Sequence, residues 1–276
     1  MGMLKISLPD GLSHEYASGT TVGEIVRNAY GKKSGAVAAL VDGEERDFSY
    51  ILEQDCDIEP ILGDTEAGRY ILRHSCAHLL AQAVVEIYPD AQPTIGPPIE
   101  NGFYYDFKMD PVGDGDLKKI EKKMQEHIRA NHTLTREEHD NRTLRDMFAG
   151  NPFKIEIMND KIGMDIGSSA YRQGDFVDLC LGPHVPSTSY LRWFKLTGTS
   201  QAYWKGDSSK ESLVRIYGMC FSSKDELRER ERQIEEAKKR DHKKIGKEME
   251  LYMIDEMIGK GPVSYTHLRA HETLPY

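Results

Sequence analysis

The chain has 276 residues, 39% of them hydrophobic, and a formal charge of -9 from 36 Lys+Arg against 45 Asp+Glu. That length can hold more than one domain and bury a sizeable core, and no apolar run reaches the roughly 18 residues of a membrane-spanning helix. The acidic balance argues against extensive non-specific nucleic-acid binding without forbidding a local basic surface. The four cysteines (Cys56, Cys76, Cys180, Cys220) lack disulfide-framework spacing, and MGMLKISLPDG lacks a signal-peptide layout, so a cytoplasmic location is expected.

Residues 1–62 read as a small unit. Leu4, Ile6 and Leu8 alternate, Pro9-Asp10-Gly11 turns, and Leu12 to Tyr16 returns as the second arm of a hairpin. Thr20 or Thr21 can cap a helix over Val22 to Ala29. Alternation resumes at Ala36 to Val41, Asp42-Gly43 turns again, and the elements end near Asp57 to Leu62. Hairpin, helix and further short strands describe a ubiquitin-like roll. Nothing in it resembles a catalytic cluster, so binding or spacing is its expected role.

Tyr70 to Tyr88 reads as one helix, with Asp64 or Thr65 as cap and Pro89 as stop. His74 and His78 are four apart and project from one face, while Cys76 points elsewhere. Such a pair recurs by chance, and histidines beside an apolar face can simply be hydrogen-bonded near a core. The loop from Pro93 to Gly102 leads into Phe103-Tyr104-Tyr105-Asp106-Phe107, a strand whose aromatics suit core packing or a ligand wall. Helical spacing of Leu117, Ile120, Met124 and Ile128 predicts an amphipathic helix over 116–131, and a shorter one is expected over about 135–149. Phe153 to Met158 reads as a strand with Lys154 and Glu156 on one face. Residues 159–174 show no periodicity.

Phe176 to Cys180 is the next expected strand, with Asp178 and Cys180 on one face, and Gly182-Pro183 turns His184 back toward them. Two histidines on a helix with this Cys-x3-His make either a four-ligand N/S set or a polar pocket that handles water. Phe194 to Trp204 and Leu213 to Phe221 add strands, completing an α+β domain over 63–223. Ser223 and Glu226 form a capping box for a charged helix running to about Met257, and Ala237 to Lys247 carries six Lys/Arg against one Asp. That stretch is a solvated face that could also contact phosphate. Residues 224–260 are therefore a linker helix. From Gly261 the sequence continues neither the helix nor a recognisable element and reads as a non-native tail, so His267 and His271 are given no function.

The motifs LKISLPDG, RHSCAHLLAQAV, IGPPIENGFYYDF, DLCLGPHVP, AYWKGDS, RIYG and RDHKKIGKEMELY, in that order over about residues 3–258, resemble the N-terminal portion of the bacterial threonyl-tRNA synthetase family. Alanyl-tRNA synthetases and their free-standing editing relatives share the HxxxH…CxxxH pattern. The resemblance implies a TGS domain (1–62), an editing domain (63–223) and a linker helix, with the class II aminoacylation motifs absent. Neither ATP nor the family's catalytic zinc is then expected.

The implied activity is hydrolysis of serine esterified in error to threonine tRNA. One methyl group discriminates by only about 10- to 200-fold, so a second site that admits serine and rejects threonine is needed. The resemblance places His74, His78, Cys180 and His184 around that site with Asp178 and Lys154. His74 or His78 would activate water, Asp178 recognise the serine amino group or hydroxyl, Cys180 and His184 contact amino acid or ribose, and Lys154 stabilise the tetrahedral intermediate. A metal-free mechanism is expected, with zinc on His74, His78, Cys180 and His184 as the alternative. The expected partner is the aminoacylated 3′ end of threonine tRNA. No membrane partner is expected, and the fragment should be a monomer although the parent enzymes are dimers. A non-catalytic tRNA-docking module and a general zinc hydrolase are the competing readings.

Overall fold

A computed structural model describes residues 2–31, 33–161, 169–240, 245, 252–254 and 262–264. Alternating apolar residues build the first sheet from β1 (Met3–Ser7), β2 (Ser13–Ala17), β3 (Ala36–Val41), β4 (Glu44–Arg46) and β5 (Cys56–Leu62), with helix α1 (Val22–Tyr30) packed on it. The strand order is β2-β1-β5-β3-β4, with β1 and β5 parallel and the other pairs antiparallel. Thr21 caps α1 in a capping box with Glu24. Five strands with one helix form the expected roll, and its core gathers Ile6, Ile25, Val26 and Ile58.

Next comes α2 (Glu66–Ile87), capped by Thr65, whose hydroxyl accepts from Gly68 N. A Cβ at Gly68 would lie 1.9 Å from the Leu62 carbonyl, so only glycine lets the helix start this close to β5. From Ile71 to Val84 the helix is buried nearly all round, its polar Ser75, His78 and Gln82 included, so it is covered on every side. Its cover is α3 (Asp114–Ala130) and a sheet of order β12-β13-β8-β6, where β6 is Gln92–Pro93, β8 Gly102–Lys108, β12 Trp193–Tyr203 and β13 Ser212–Phe221; β7 (Pro98–Ile99) also pairs with β8. Phe103, Tyr105 and Phe107, on one face of β8, fill the core against Leu79, Leu80 and Ile216. Val37, Ala38 and Ile61 join that same core, so the first sheet is packed on both faces.

A third sheet has order β11-β10-β9, from β9 (Leu134–Glu138), β10 (Ser169–Gln173) and β11 (Phe176–Leu179). It brings the first corrections. Residues 135–149 are not one helix: Leu134–Glu138 is a strand on β10, and only α4 (Asn141–Met147) is helical, started by Asp140 accepting from Thr143 N. Phe153 to Met158 is not a strand but lies within α5 (Pro152–Lys161). Asn151 Oδ1 accepts from the backbone N–H of Phe153 and Lys154 at 3.1 and 3.2 Å, and Pro152 needs no donor in the first turn. The misleading alternation arises because α5 is buried on two sides: Phe153 and Ile157 meet Trp204, while Ile155 and Met158 meet Leu144 and Phe148. Within 159–174, where no element was expected, β10 pairs with both neighbours because Ala170 and Tyr171 are buried.

Residues 2–224 make one compact unit, and the remainder of the chain begins a second. In the second, α6 (Lys224–Lys239) follows the expected start, but Tyr252–Ile254 and Pro262–Ser264 form an antiparallel pair, β14 and β15, where the linker helix and a non-native tail with no recognisable element were expected. Most of the basic stretch after Arg240, together with His267 and His271, lies outside the described residues. Among the described residues, no helix is long and apolar enough to cross a membrane.

Candidate functional site

Helix α2 presents His74 and His78 one turn apart, with ring centroids 5.3 Å from each other. After β11 the chain reverses through Gly182, whose φ of +77 is a left-handed value that side chains resist. That reversal carries His184 to 4.4 Å from the His74 ring and 4.3 Å from the His78 ring. Cys180 Sγ lies 3.2 Å from both His74 Nε2 and His184 Nε2. The four side chains, drawn from positions more than a hundred residues apart in sequence, bring their ligating atoms within 4.8 Å of one another. His78 and His184 are buried, whereas His74 and Cys180 are partly exposed and give the cluster its access.

Hydrogen bonds fix the state of His184. Ser75 Oγ donates its single proton to Ile71 O at 2.8 Å and accepts from Val185 N at 3.0 Å. Its 3.0 Å contact to His184 Nδ1 must therefore be a bond donated by the ring, so Nδ1 carries the proton and Nε2 turns a lone pair toward Cys180. Ser75 thus selects the tautomer of a residue 109 positions away.

Beside the imidazoles lies a buried charge pair. Lys154, from the first turns of α5, meets Asp178 Oδ1 and also donates to Tyr105 Oη at 3.0 Å. Tyr105 in turn donates to Asp178 Oδ2 at 2.5 Å, and Leu179 N donates to Oδ1 at 2.8 Å. His78 Nδ1 stands 3.7 Å from Oδ2, an electrostatic contact longer than a hydrogen bond. The carboxylate oxygens are therefore already engaged by the protein, which favours an orienting role for Asp178 over direct reading of a ligand.

Burial sets the protonation states. It alone would raise the Asp178 carboxyl, yet the Lys154 ammonium, with His78 and the Tyr105 hydroxyl, holds it below the usual range. Desolvation takes His74 down to about 3, with His78 pushing the same way and Asp178 opposing. It takes His78 down to about 4, again opposed by Asp178, and depresses His184 as well. Burial pushes the Cys180 thiol up to about 12. At neutral pH the cluster is three neutral imidazoles and a thiol beside an ion pair.

Three imidazoles and a sulfur form a donor set suited to zinc. Tetrahedral bonds of about 2.0–2.3 Å put neighbouring ligand atoms roughly 3.3–3.7 Å apart; the two Cys180 contacts, at 3.2 Å, are near that spacing, and the whole set lies within 4.8 Å. His184 already has its outer nitrogen held by Ser75, as a zinc-binding histidine needs. His74 does not, since its buried Nδ1 makes no hydrogen bond of ordinary geometry, although the Pro183 carbonyl favours a proton on the ring.

Every residue expected for the site from the sequence (His74, His78, Lys154, Asp178, Cys180, His184) lies in this one place. Four others were missed. Tyr105 stood in an aromatic run whose packing role hid its hydroxyl, and Ser75 was passed over between two histidines. Asp47 and Tyr171, which touch each other and the His184 turn, carried no local signal.

The family model described as the threonyl and alanyl tRNA synthetase second additional domain matches residues 169–217, which include Asp178, Cys180 and His184. The chain is 42% identical over 268 residues to the threonine–tRNA ligase of Exiguobacterium sp. (95% of this chain, 41% of that protein). It is 43% identical over 263 residues to threonine–tRNA ligase 1 of Bacillus subtilis (94% and 41%), and 45% identical over 263 residues to the threonine–tRNA ligase of Acetivibrio thermocellus (92% and 40%). The chain spans about two fifths of the length of these relatives.

Proposed function

We propose that this chain, homologous to bacterial threonine–tRNA ligases over nearly all of its length, hydrolyses the ester of serine misattached to threonine tRNA. The observation that carries the reading is the meeting of His74, His78, Cys180 and His184 beside the Lys154–Asp178 pair, in a homologue of enzymes that face the serine–threonine ambiguity. Residues 1–62 would be the TGS domain, 63–223 the editing domain and 224–260 the linker.

In this mechanism a water enters beside His74 and His78, whose neutral rings can accept a hydrogen bond from it. His78 takes up the proton as the water oxygen attacks the ester carbonyl, because the Asp178 carboxylate 3.7 Å away stabilises the resulting imidazolium. Lys154 has three N–H groups, two of them committed to Asp178 and Tyr105. The third is available to the oxyanion that forms when the ester carbonyl becomes tetrahedral. Collapse breaks the bond to the ribose oxygen, which regains the proton from His78 and releases serine and free tRNA. Threonine's methyl would occupy the space of the attacking water, giving the second sieve. Zinc, held by His74, His78, Cys180 and His184, would supply a lower pKa for water when bound.

The test is deacylation of preformed Ser-tRNA by this chain, with Thr-tRNA as control. Faster loss of serine than of threonine, abolished in His78→Ala, is expected. Tight tRNA binding with no hydrolysis above buffer would replace the reading with a docking module.

A further inference from the structure

The first sheet was expected to carry no part of the chemistry, yet one of its residues reaches the site. Asp47 follows β4, in a tight turn where Tyr50 N donates to its carbonyl. The residue is 7% exposed, and its carboxylate is bonded to groups outside the first sheet. Oδ1 accepts the His184 backbone N–H at 2.7 Å, and Oδ2 accepts the Tyr171 hydroxyl at 2.5 Å.

These two contacts close a triangle. The Tyr171 ring stands edge-on to the His184 ring at 4.4 Å. Its hydroxyl occupies the space a side chain at residue 182 would need, since a Cβ there would come within 1.8 Å of it. The turn from Cys180 to His184 therefore rests on Tyr171, Tyr171 is tied to Asp47, and Asp47 holds the turn's backbone. On the opposite side Ser75 of α2 holds the His184 ring and the next N–H. His184 and its turn are thus held by three residues, Ser75, Tyr171 and Asp47, of which only Asp47 comes from residues 1–62.

Direct ion pairing does not explain the carboxylate, although Arg136 and Arg46 attract it from a longer distance. The nearby cations have other partners, Arg46 with Glu44 and Arg136 with Glu138. What Asp47 offers is two acceptor oxygens for two buried donors on different elements.

We infer that Asp47 is a positioning residue for the His74–His78–Cys180–His184 site, so that the N-terminal sheet completes the site instead of merely preceding it. The inference rests on the hydrolytic reading for its kinetic consequence, but the placement of His184 is measurable without it. Asp47 touches no reacting atom; it sets where His184 and Cys180 stand. A displacement of about 1 Å in such a constellation can cost on the order of a hundredfold in turnover.

The experiment compares the full chain with Asp47→Ala, Asp47→Asn, Tyr171→Phe and Val26→Ala. The last loosens the first sheet's core without touching the triangle. Ser-tRNA deacylation is measured as kcat and KM, and the His184 imidazole resonances are followed by NMR. Asp47→Ala should lower kcat about a hundredfold with KM changed little, and shift the His184 resonances. Asp47→Asn keeps one acceptor for the His184 N–H and should restore most of kcat, while Val26→Ala should keep kcat and the resonances. Unchanged kcat in a folded Asp47→Ala protein, or an equal loss in Val26→Ala, would overturn the inference. If the unmodified chain releases no serine, the hydrolytic reading fails, and the NMR comparison decides: His184 shifts confined to the Asp47 and Tyr171 variants uphold the positioning role, and their absence ends it.

Discussion

Replacing Lys154 with methionine tests the electrostatic account of the site most directly. The side chains of Lys154 and Asp178 are 4% and 2% exposed, so solvent screens the pair little. Methionine keeps most of the volume and removes the cation. Asp178 then retains hydrogen bonds from Tyr105 and Leu179 N but no ammonium, and an unpaired buried charge of this kind costs about 3–5 kcal/mol. For a unit of this size that corresponds to a Tm lower by roughly 6–20 °C. The deficit should depend on pH, with a sign that follows from the carboxyl. With Lys154 present the folded-state value lies below the ordinary one, so the stability it contributes is whole above pH 3.8 and lost as pH falls through the folded value. Without Lys154 burial dominates and the folded value lies above the ordinary one. Stability is then greatest at low pH and lost as pH rises through that value, so the gap between variant and parent should narrow from pH 7 to pH 5. His78, relieved of the repulsion from Lys154, should also protonate more readily beside Asp178. Urea unfolding followed by circular dichroism gives the difference at each pH, and Lys154→Met with Asp178→Leu should recover most of the loss. A deficit under about 1 kcal/mol, the range of exposed pairs, that stays constant with pH would refute the reasoning.

Other expectations follow from the same geometry. Ser75→Ala leaves Val185 N and His184 Nδ1 without their shared acceptor and should cost about 1–3 kcal/mol in urea unfolding, with the His184 tautomer becoming mixed by 15N NMR. His74 and His78 stay neutral in the fold down to about 4 and below, while the unfolded chain protonates near 6.5. Stability should therefore be whole above pH 6.5 and fall below it by about 1.4 kcal/mol per histidine per pH unit; a flat profile between pH 7 and 5 would contradict their burial. Because the Cys180 thiol is pushed up to about 12, zinc binding at pH 7 should release about one proton, read by calorimetry in buffers of different ionisation enthalpy, and Cys180→Ser should abolish that release.

Local periodicity made the first sheet, α2 and the β12–β13 pair legible, because in each the pattern of burial and the pattern of the backbone coincide. The clustering of the candidate site's residues was legible for a related reason. His74 and His78 share a helix face, and the glycine and proline after Cys180 announce a reversal that returns His184 to its neighbours. Lys154, named for the candidate site by the family resemblance, was assigned to the wrong element. Its alternation with Phe153 and Ile155 reads as a strand, whereas the structure has a helix that packs on two cores and starts at Asn151-Pro152. A helix buried on opposite sides loses the single apolar stripe from which helices are recognised.

Asp47 was hidden for a different cause, and that cause bears on how the site is held. A surface turn with an aspartate is ordinary in sequence, since turns favour that residue for local bonds to their own backbone. Here the local bond in the turn is made by the backbone carbonyl, which frees the carboxylate for two donors 124 and 137 residues away. No pattern within the turn encodes that distance; it exists only because β3 places Val37 and Ala38 in the same core as α2. The apolar contact between the first sheet and α2 and the polar contact between Asp47 and the His184 turn therefore stand or fall together. The first brings the aspartate within reach, and the second converts that proximity into a fixed imidazole. Mutations that thin the shared core at Val37 or Ile61 should accordingly loosen His184 before they unfold the first sheet, a coupling that a purely spacing role for residues 1–62 would not produce.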